Sequence, residues 1–315
     1  MSGHDPTVAG TALEDRPESA AAGRARRARP RMSAFDVCNY AFFIVLCFVM
    51  TYPLWYSVMA SFMTEGEYLA TRFILYPRRP TVDAYRKIFT HGEILARIRV
   101  TVFITVVGTA VSLFITSYAA YGFSKRFPGS KVLLYFVVAT MFVYPGLIPV
   151  YLNLRNLGLI NTLAVYILPS AISTFYLIIM RNHYLDFPAE LEESARMDGC
   201  NEFGTYFRVV LPLSKAVLAA IGLFFAVQYW NTYMQSVFFI TDSDKKTVQE
   251  YLRDLIIETT DIEMIMMQVE AESEMLSVDT IRLANVVLVL IPILLVYPFL
   301  QKYFVKGLMI GAIKG

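Results

Sequence analysis

This sequence is poor in the residues that form disulfides and metal sites. Its 315 residues include only three cysteines and three histidines. Two cysteines lie in the first apolar run and the third in a charged segment, so no disulfide is predicted in the loops. The histidines are far apart and lack the spacing of a ligand set. We therefore predict no metal site.

Charged residues are missing from the apolar runs, and a nucleotide-binding motif is missing from the chain. None of the six apolar runs described below contains Asp, Glu, Lys, Arg or His. Proton-driven carriers keep such groups in the membrane as relays, so this absence argues against proton coupling, although sodium coupling through backbone carbonyls stays open. No G-x-x-x-x-G-K-[ST] phosphate loop occurs. The chain is predicted to have no catalytic residue and no cofactor of its own, and any driving energy is expected from another polypeptide.

What the sequence does have is long hydrophobic runs. Its composition is 56% hydrophobic and only 17% charged, which is too apolar for an ordinary soluble domain. A hydrocarbon core of about 30 Å needs roughly 20 helical residues, and six runs are of that order. The runs are Val37–Phe62, Val100–Phe123, Val132–Leu152, Leu163–Met180, Val217–Ile240 and Leu283–Leu300. The predicted fold class is an all-α integral membrane protein with six transmembrane helices and multiple passes.

Basic residues indicate how these spans are oriented. Residues 1–34 form an Ala/Arg/Pro-rich arm, predicted to be disordered, cytoplasmic and in contact with anionic lipid, with nucleic-acid binding as a remote alternative. Lysine and arginine placement puts both termini and the 184–214 loop in the cytoplasm, although the loop after the first run opposes the trend. The outer loop 241–280 carries eleven acidic residues, so simple attraction does not favour an anionic polysaccharide there, but the charge of a loop does not determine the charge of the translocation path.

The fifth run contains the most polar membrane surface. Gln228, Asn231, Thr232 and Gln235 recur at i, i+3, i+4 and i+7, which predicts one helical face, with Trp230 beside it. Amides next to aromatic rings suit a sugar pathway. The alternative is that these side chains hydrogen-bond between helices and hold the bundle together, at about 1 kcal/mol per bond. Both interpretations stay open at this point.

The most informative segment is a charged island between the fourth and fifth runs. Pro188 is suited to the start of a helix, Asp198-Gly199 to its end, and Asn201 to the cap of a second short helix through Val209 that Pro212 stops. Seven residues follow the pattern Glu-Ala-Ala, three residues, Gly, nine residues, Ile-x-Leu-Pro: Glu193, Ser194, Ala195, Gly199, Val209, Leu211 and Pro212. Ser194 and Val209 are the two departures, and both change side-chain volume little.

This pattern resembles the EAA loop of ATP-binding-cassette (ABC) importer permeases. The resemblance implies a type I importer permease, with a transmembrane domain over 35–304 and a coupling loop over 184–214. In that family the loop docks into the ATPase subunit, which binds ATP and Mg. By the same resemblance, Glu193 pairs with a basic residue of the ATPase and Gly199 permits the turn after Asp198. Ser194, Ala195, Asp198, Leu211 and Pro212 complete the predicted coupling site.

The resemblance narrows at the C-terminal tail. Residues 297–315 and the segment 119–129 are similar to the second permease of carbohydrate importers of the maltose-transporter type, in the lipoprotein/polysaccharide-permease branch. In that type the tail, here 305–315, enters the ATPase dimer interface. The implied partners are a second permease subunit, an ATPase dimer and an extracytoplasmic sugar-binding protein in a prokaryotic plasma or inner membrane. The alternatives are an importer of another small solute, an ion-coupled secondary carrier and a non-transporting scaffold.

Overall fold

The computed structural model describes residues 33–71, 73–255, 257 and 278–312. Within these residues the chain is helical and contains no strand, which agrees with the predicted all-α class. It divides into two compact units, residues 1–50 and 51–315. Of the predicted cytoplasmic arm, residues 1–32 lie outside the described ranges, as do residues 258–277 of the acidic loop.

The helices are named here in chain order. They are α1 (Ala34–Ser61), α2 (Glu65–Ala70), α3 (Asp83–His91), α4 (Glu93–Ser124), α5 (Ser130–Ala139), α6 (Leu147–Asn156), α7 (Ala164–Ile167), α8 (Thr174–Leu185), α9 (Ala189–Met197), α10 (Glu202–Thr205), α11 (Leu211–Leu213), α12 (Lys215–Trp230), α13 (Met234–Phe239), α14 (248–255) and α15 (Val278–Ala312). A 3₁₀ turn, Leu168–Ser170, follows α7, and a π-helical turn, Tyr206–Val210, joins α10 to α11.

Candidate membrane spans are fewer than the six predicted runs. Among the described residues, three helical stretches are long and apolar enough to cross a membrane, namely α1, α4 and Asp279–Val296 of α15. Two bent pairs raise the number to five if each pair is one span. These pairs are Ala164–Ser170 with Thr174–Leu185, bent by 52°, and Glu202–Leu213 with Lys215–Trp230, bent by 85°. The count of six stays a prediction.

The predicted third and fifth runs are interrupted. Residues 140–146 separate α5 from α6, because Pro145 lacks an N–H donor and Gly146 adopts a φ of 84°. The fifth run breaks at residues 231–233, between α12 and α13. This break removes the regular helical spacing on which the predicted single polar face depends. In the last run, α15 continues without interruption past the predicted tail boundary at 305 to Ala312.

Within the unit formed by residues 51–315, helix α4 packs against both α8 and α12. The helix carries a buried stripe of mostly small side chains spaced by four residues, Ile104, Gly108, Ser112, Thr116 and Ala120. Small residues let neighbouring helices approach closely, which is the usual basis of helix packing in membranes. At Gly108 the approach is tightest, since a Cβ there meets the Tyr229 ring of α12 at 2.8 Å.

Other helices present large apolar side chains outward. On α5, Val132, Tyr135 and Phe136 are each 70% exposed or more, and α1 is apolar along its exposed length. A soluble monomer rarely exposes so much continuous apolar surface. This distribution fits lipid or a membrane partner as the surroundings.

Asn161 joins the turn before α7 to the segment after α13. It has a φ of 60°, and its Oδ1 accepts hydrogen bonds from the backbone N–H of Thr241 at 3.3 Å and of Asp242 at 3.0 Å. Lys245 Nζ donates to the Asn161 carbonyl at 3.1 Å. The hydrogen bond from Lys245 also holds the pKa of Asp242 below its usual value. One residue thus satisfies the backbone of a connection eighty residues away in sequence.

We expect Asn161→Ala to lower the thermal stability of the purified protein more than Asn161→Gly does. Both variants lose the two hydrogen bonds to Oδ1, which contribute about 0.5–1.5 kcal/mol each. Only alanine adds strain at positive φ, of order 1 kcal/mol. The measurement is the midpoint of thermal unfolding in detergent. Equal midpoints for the two variants would contradict the backbone argument.

Candidate coupling loop and polar face

Helix α9 presents the glutamate of the EAA-like pattern to solvent. It starts after Pro188, with Glu190 and Glu192 in the first turn, where the helix dipole favours acidic side chains. Glu193 and Ser194 are exposed, and Ala195 is buried. The other apolar side chains of α9 are exposed, Leu191 by 42% and Met197 by 88%. The short helix is held by Ala195 and by polar contacts.

Helix α9 ends in a turn that requires glycine. Gly199 has a φ of 81°, and its N–H donates to the Arg196 carbonyl at 3.0 Å. The N–H of Cys200 donates to the Ala195 carbonyl at 3.0 Å, which completes a Schellman motif. Asp198 occupies the exposed position before the glycine. No neighbouring atom lies within 4 Å of an added Cβ, so the constraint at Gly199 comes from backbone conformation.

The second helix of the loop is longer than predicted. Asn201 caps α10 as expected, because its Oδ1 accepts a hydrogen bond from Gly204 N–H at 2.8 Å. The helical path then continues through the π turn and α11 to Leu213, so the predicted stop at Pro212 is wrong. Pro212 lies in the first turn of α11, where a proline ring is tolerated. Pro212 is exposed, whereas Leu211 packs partly against the main core cluster.

The π turn anchors the loop to the spans. Tyr206 and Val210 are fully buried in a cluster that also contains Tyr184 of α8, Ala120 of α4 and Phe225 of α12. The exposed part of the loop, α9 and its glycine turn, therefore lies beside a buried segment that contacts three membrane helices. Movement of α9 can therefore be transmitted through packed side chains to α4, α8 and α12.

The predicted sugar-pathway residues differ in exposure. Gln228 and Asn231 are exposed and Gln235 is half-buried. Asn231 Nδ2 donates to the Val227 carbonyl of its own helix at 2.8 Å. Trp230 is only 7% exposed and packs in an apolar cluster with Ile94 of α4 and Ala284 of α15, and its ring N–H has no hydrogen-bond partner in the described part of the chain.

The fold, the interrupted spans and the EAA-like loop define a class of membrane transport subunit. Residues 29–310 match the family described as "Binding-protein-dependent transport system inner membrane component". The chain belongs to this family. Its members are the membrane permeases of importers whose ATP is hydrolysed on a separate subunit, which agrees with the absence of a phosphate-binding loop.

The chain is also similar to individual known proteins. The chain is 42% identical over 282 residues to "Polygalacturonan/rhamnogalacturonan transport system permease protein YtcP" of Bacillus subtilis, covering 89% of this chain and 98% of the relative. It is 43% identical over 284 residues to "Protein LplC" of the same organism, covering 89% and 95%. A solved bacterial ABC transporter involved in the import of the acidic polysaccharide alginate has a chain with a TM-score of 0.79 and 29% identity, covering 88% of this chain and 100% of that one.

Proposed function

We propose that this chain is one of two permease subunits of an ABC importer that carries acidic oligosaccharides, such as fragments of uronic-acid polysaccharides. The named relatives transport polygalacturonan or rhamnogalacturonan in one case and alginate in another, and all three polymers are acidic. The observation that carries the coupling part is the exposed Glu193 beside a Schellman turn at Gly199, on a loop anchored by buried Tyr206.

The proposal assigns partners and orientation as follows. A second permease completes the pathway, an ATPase dimer with ATP and Mg docks on α9, and an extracytoplasmic sugar-binding protein delivers substrate. Both termini and the 184–214 loop face the cytoplasm, with the basic arm 1–34 on anionic lipid and the 305–315 tail against the ATPases. Basic residues in the arm support this orientation.

Uptake into proteoliposomes tests this proposal. The complex is purified with its neighbouring subunits and reconstituted with ATP inside and the binding protein outside. We expect ATP-dependent uptake of trigalacturonate and at least about tenfold less uptake of maltotriose. Maltotriose is neutral, and an importer for acidic sugars should bind it more weakly by more than about 1.4 kcal/mol. Equal uptake of the two sugars would contradict the proposed specificity for acidic sugars. Uptake driven by an ion gradient, with no ATPase in the complex, would favour a secondary carrier.

The polar residues around the α12–α13 break are proposed to line the pathway. The hydrogen bond made by the Asn231 side chain stays within its own helix, and Thr232 Oγ1 likewise donates to the Gln228 carbonyl at 3.1 Å. In the described residues these contacts do not link separate helices, which supports the pathway over the alternative of interhelical hydrogen bonding.

We therefore expect Asn231→Leu to lower uptake per assembled complex by about tenfold, because it removes hydrogen bonds to sugar worth about 1–1.5 kcal/mol. Basal ATP hydrolysis and thermal stability should stay at wild-type levels. Asn182→Leu, the same change at an exposed asparagine on α8, is the matched control and should leave uptake unchanged. A loss of uptake that follows a loss of stability would instead assign Asn231 to helix packing.

A further inference from the structure

Three polar residues form a stripe at the C-terminal end of α4, two of them on the helix and the third, Lys125, as the residue that follows its last turn. Ser117, Tyr121 and Lys125 are spaced by four residues, which places them one above another. Ser117 Oγ is within hydrogen-bond distance of Tyr206 Oη at 2.7 Å and of Tyr184 Oη at 2.6 Å. The first member of the stripe therefore contacts the buried π turn of the loop and α8 together.

The second member contacts the next part of the loop. Tyr121 Oη donates to Glu202 Oε2 at 3.2 Å, at the start of α10. Arg196, in the last turn of α9, donates from Nη2 to Glu202 Oε1 at 2.7 Å. Both carboxylate oxygens of Glu202 are thus used, one toward α4 and the other toward α9. The glycine turn between α9 and α10 is bridged by this pair.

The third member contacts α9 directly. Lys125 Nζ forms an ion pair with Glu192 Oε2 and lies 4.3 Å from the centre of the Tyr121 ring. The two charged side chains are only 26% and 16% exposed. Removing one partner from a largely buried pair is costly, unlike the loss of a surface pair. Successive helix residues point about 100° apart, so Glu192 faces α4 while its neighbour Glu193 is exposed.

Space between α4 and the loop makes these polar contacts more important. A cleft of about 590 Å³ lies there, lined by residues that include Tyr118, Lys125, Phe127, Arg196 and Glu202. Close apolar packing does not fill this region, so the separation of α9 from α4 depends on the side chains that cross its edge.

We propose that Ser117, Tyr121 and Lys125 are positioning residues for energy coupling: they hold the loop at a fixed distance from α4, so that movement of α9 moves α4. The proposal rests on the proposed function, because it takes α9 as the part driven by the ATPase. It assigns to Glu192 an inward role on α4 that differs from the outward role of Glu193.

A charge-swap cycle tests this role. Lys125→Glu and Glu192→Lys are made singly and together, and the measured quantity is trigalacturonate imported per ATP hydrolysed, per assembled complex in proteoliposomes. Each single variant should lower this ratio at least fivefold, because ATP is still hydrolysed while the loop is no longer held on α4. The double variant should recover to within twofold of wild type, and Lys125→Arg should keep the wild-type ratio.

Two controls make the result decisive. Lys131→Glu is the same charge change on an exposed lysine with no ion pair in the described residues, and it should leave the ratio unchanged. Lys125→Gln is a milder variant that serves if Lys125→Glu fails to assemble, and it should also lower the ratio.

The outcomes separate the two proposals. If the wild-type complex shows no ATP-driven uptake, the proposed function fails whatever the variants do. If wild type is active and the Lys125 variants keep its ratio, the positioning role is overturned. It is also overturned if Glu192→Lys uncouples and Lys125→Glu does not rescue it, since Glu192 then acts on the ATPase surface.

Discussion

Replacing Glu193 by lysine should strongly reduce uptake by the assembled importer while leaving the complex in the membrane. Glu193 is exposed on α9 and makes no ion pair in the described residues, so its reversal disturbs little within this chain. At the proposed interface with a basic ATPase residue, a like charge replaces an attraction. Disrupting a close interfacial charge pair costs about 2–5 kcal/mol, so we expect uptake to fall by about 100-fold.

The measurement is uptake and ATPase activity of purified complexes, with subunit content checked on a gel. Glu190→Lys is the matched control, because it is the same change on another exposed residue of the same helix. It should keep uptake within about twofold, since exposed charges near a helix end contribute only about 0.3–1 kcal/mol. Normal coupling in Glu193→Lys at normal expression would rule out the proposed docking residue.

Gly108→Ala should be the most destabilising single-methyl change in α4. The added Cβ lies 2.8 Å from Cζ and 2.9 Å from both Cε atoms of Tyr229, which is shorter than the contact distance of non-bonded carbon atoms. Tyr229 is 1% exposed, and its hydroxyl lies 2.7 Å from Ser112 Oγ. The ring is therefore held in place, and α4 must separate from α12. Overpacking of this kind costs about 1–3 kcal/mol.

Two glycines provide a graded control. At Gly222 a Cβ meets only Leu113 Cδ2 at 3.3 Å, and at Gly122 nothing lies within 4 Å. Alanine stabilises a helix relative to glycine by up to about 1 kcal/mol, so Gly122→Ala should be neutral or stabilising. The expected order of melting temperatures in detergent is Gly122→Ala, then Gly222→Ala, then Gly108→Ala lowest. A Gly108→Ala protein as stable as wild type would contradict the close packing of α4 on α12.

Much of the fold could be predicted because its signals are local. Apolar run length predicted the membrane class, and Asn201 and Gly199 predicted a cap and a turn that the structure has. The break at residues 231–233 was not predictable from composition, because Trp230 to Gln235 keep an apolar and amide pattern compatible with a continuous helix. The role of Pro212 was also missed, since a π turn before it depends on tertiary packing of Tyr206 and Val210.

The candidate site shows the same division. Spacing along the chain indicated Glu193 and Gly199, and the structure gives the first an exposed side chain and the second a left-handed backbone. The Lys125–Glu192 pair could not be predicted, because its members lie 67 residues apart and neither belongs to the EAA-like pattern. A usable signal did exist, since Ser117, Tyr121 and Lys125 repeat at four-residue intervals.

The 85° bend between Glu202–Leu213 and α12 gives this part of the chain the shape of a bent lever with two arms. A sideways displacement at the end of one arm therefore rotates the other. At about 1.5 Å per helical residue, the arm before the bend is about 18 Å long and α12 about 24 Å. If the joint at Ser214 stays rigid, a displacement of about 3 Å at the loop end rotates both arms by about 10°. The far end of α12 then moves by about 4 Å. That far end is Trp230, next to Asn231. The amides proposed to touch the sugar would therefore move farther than the part of the loop that is pushed.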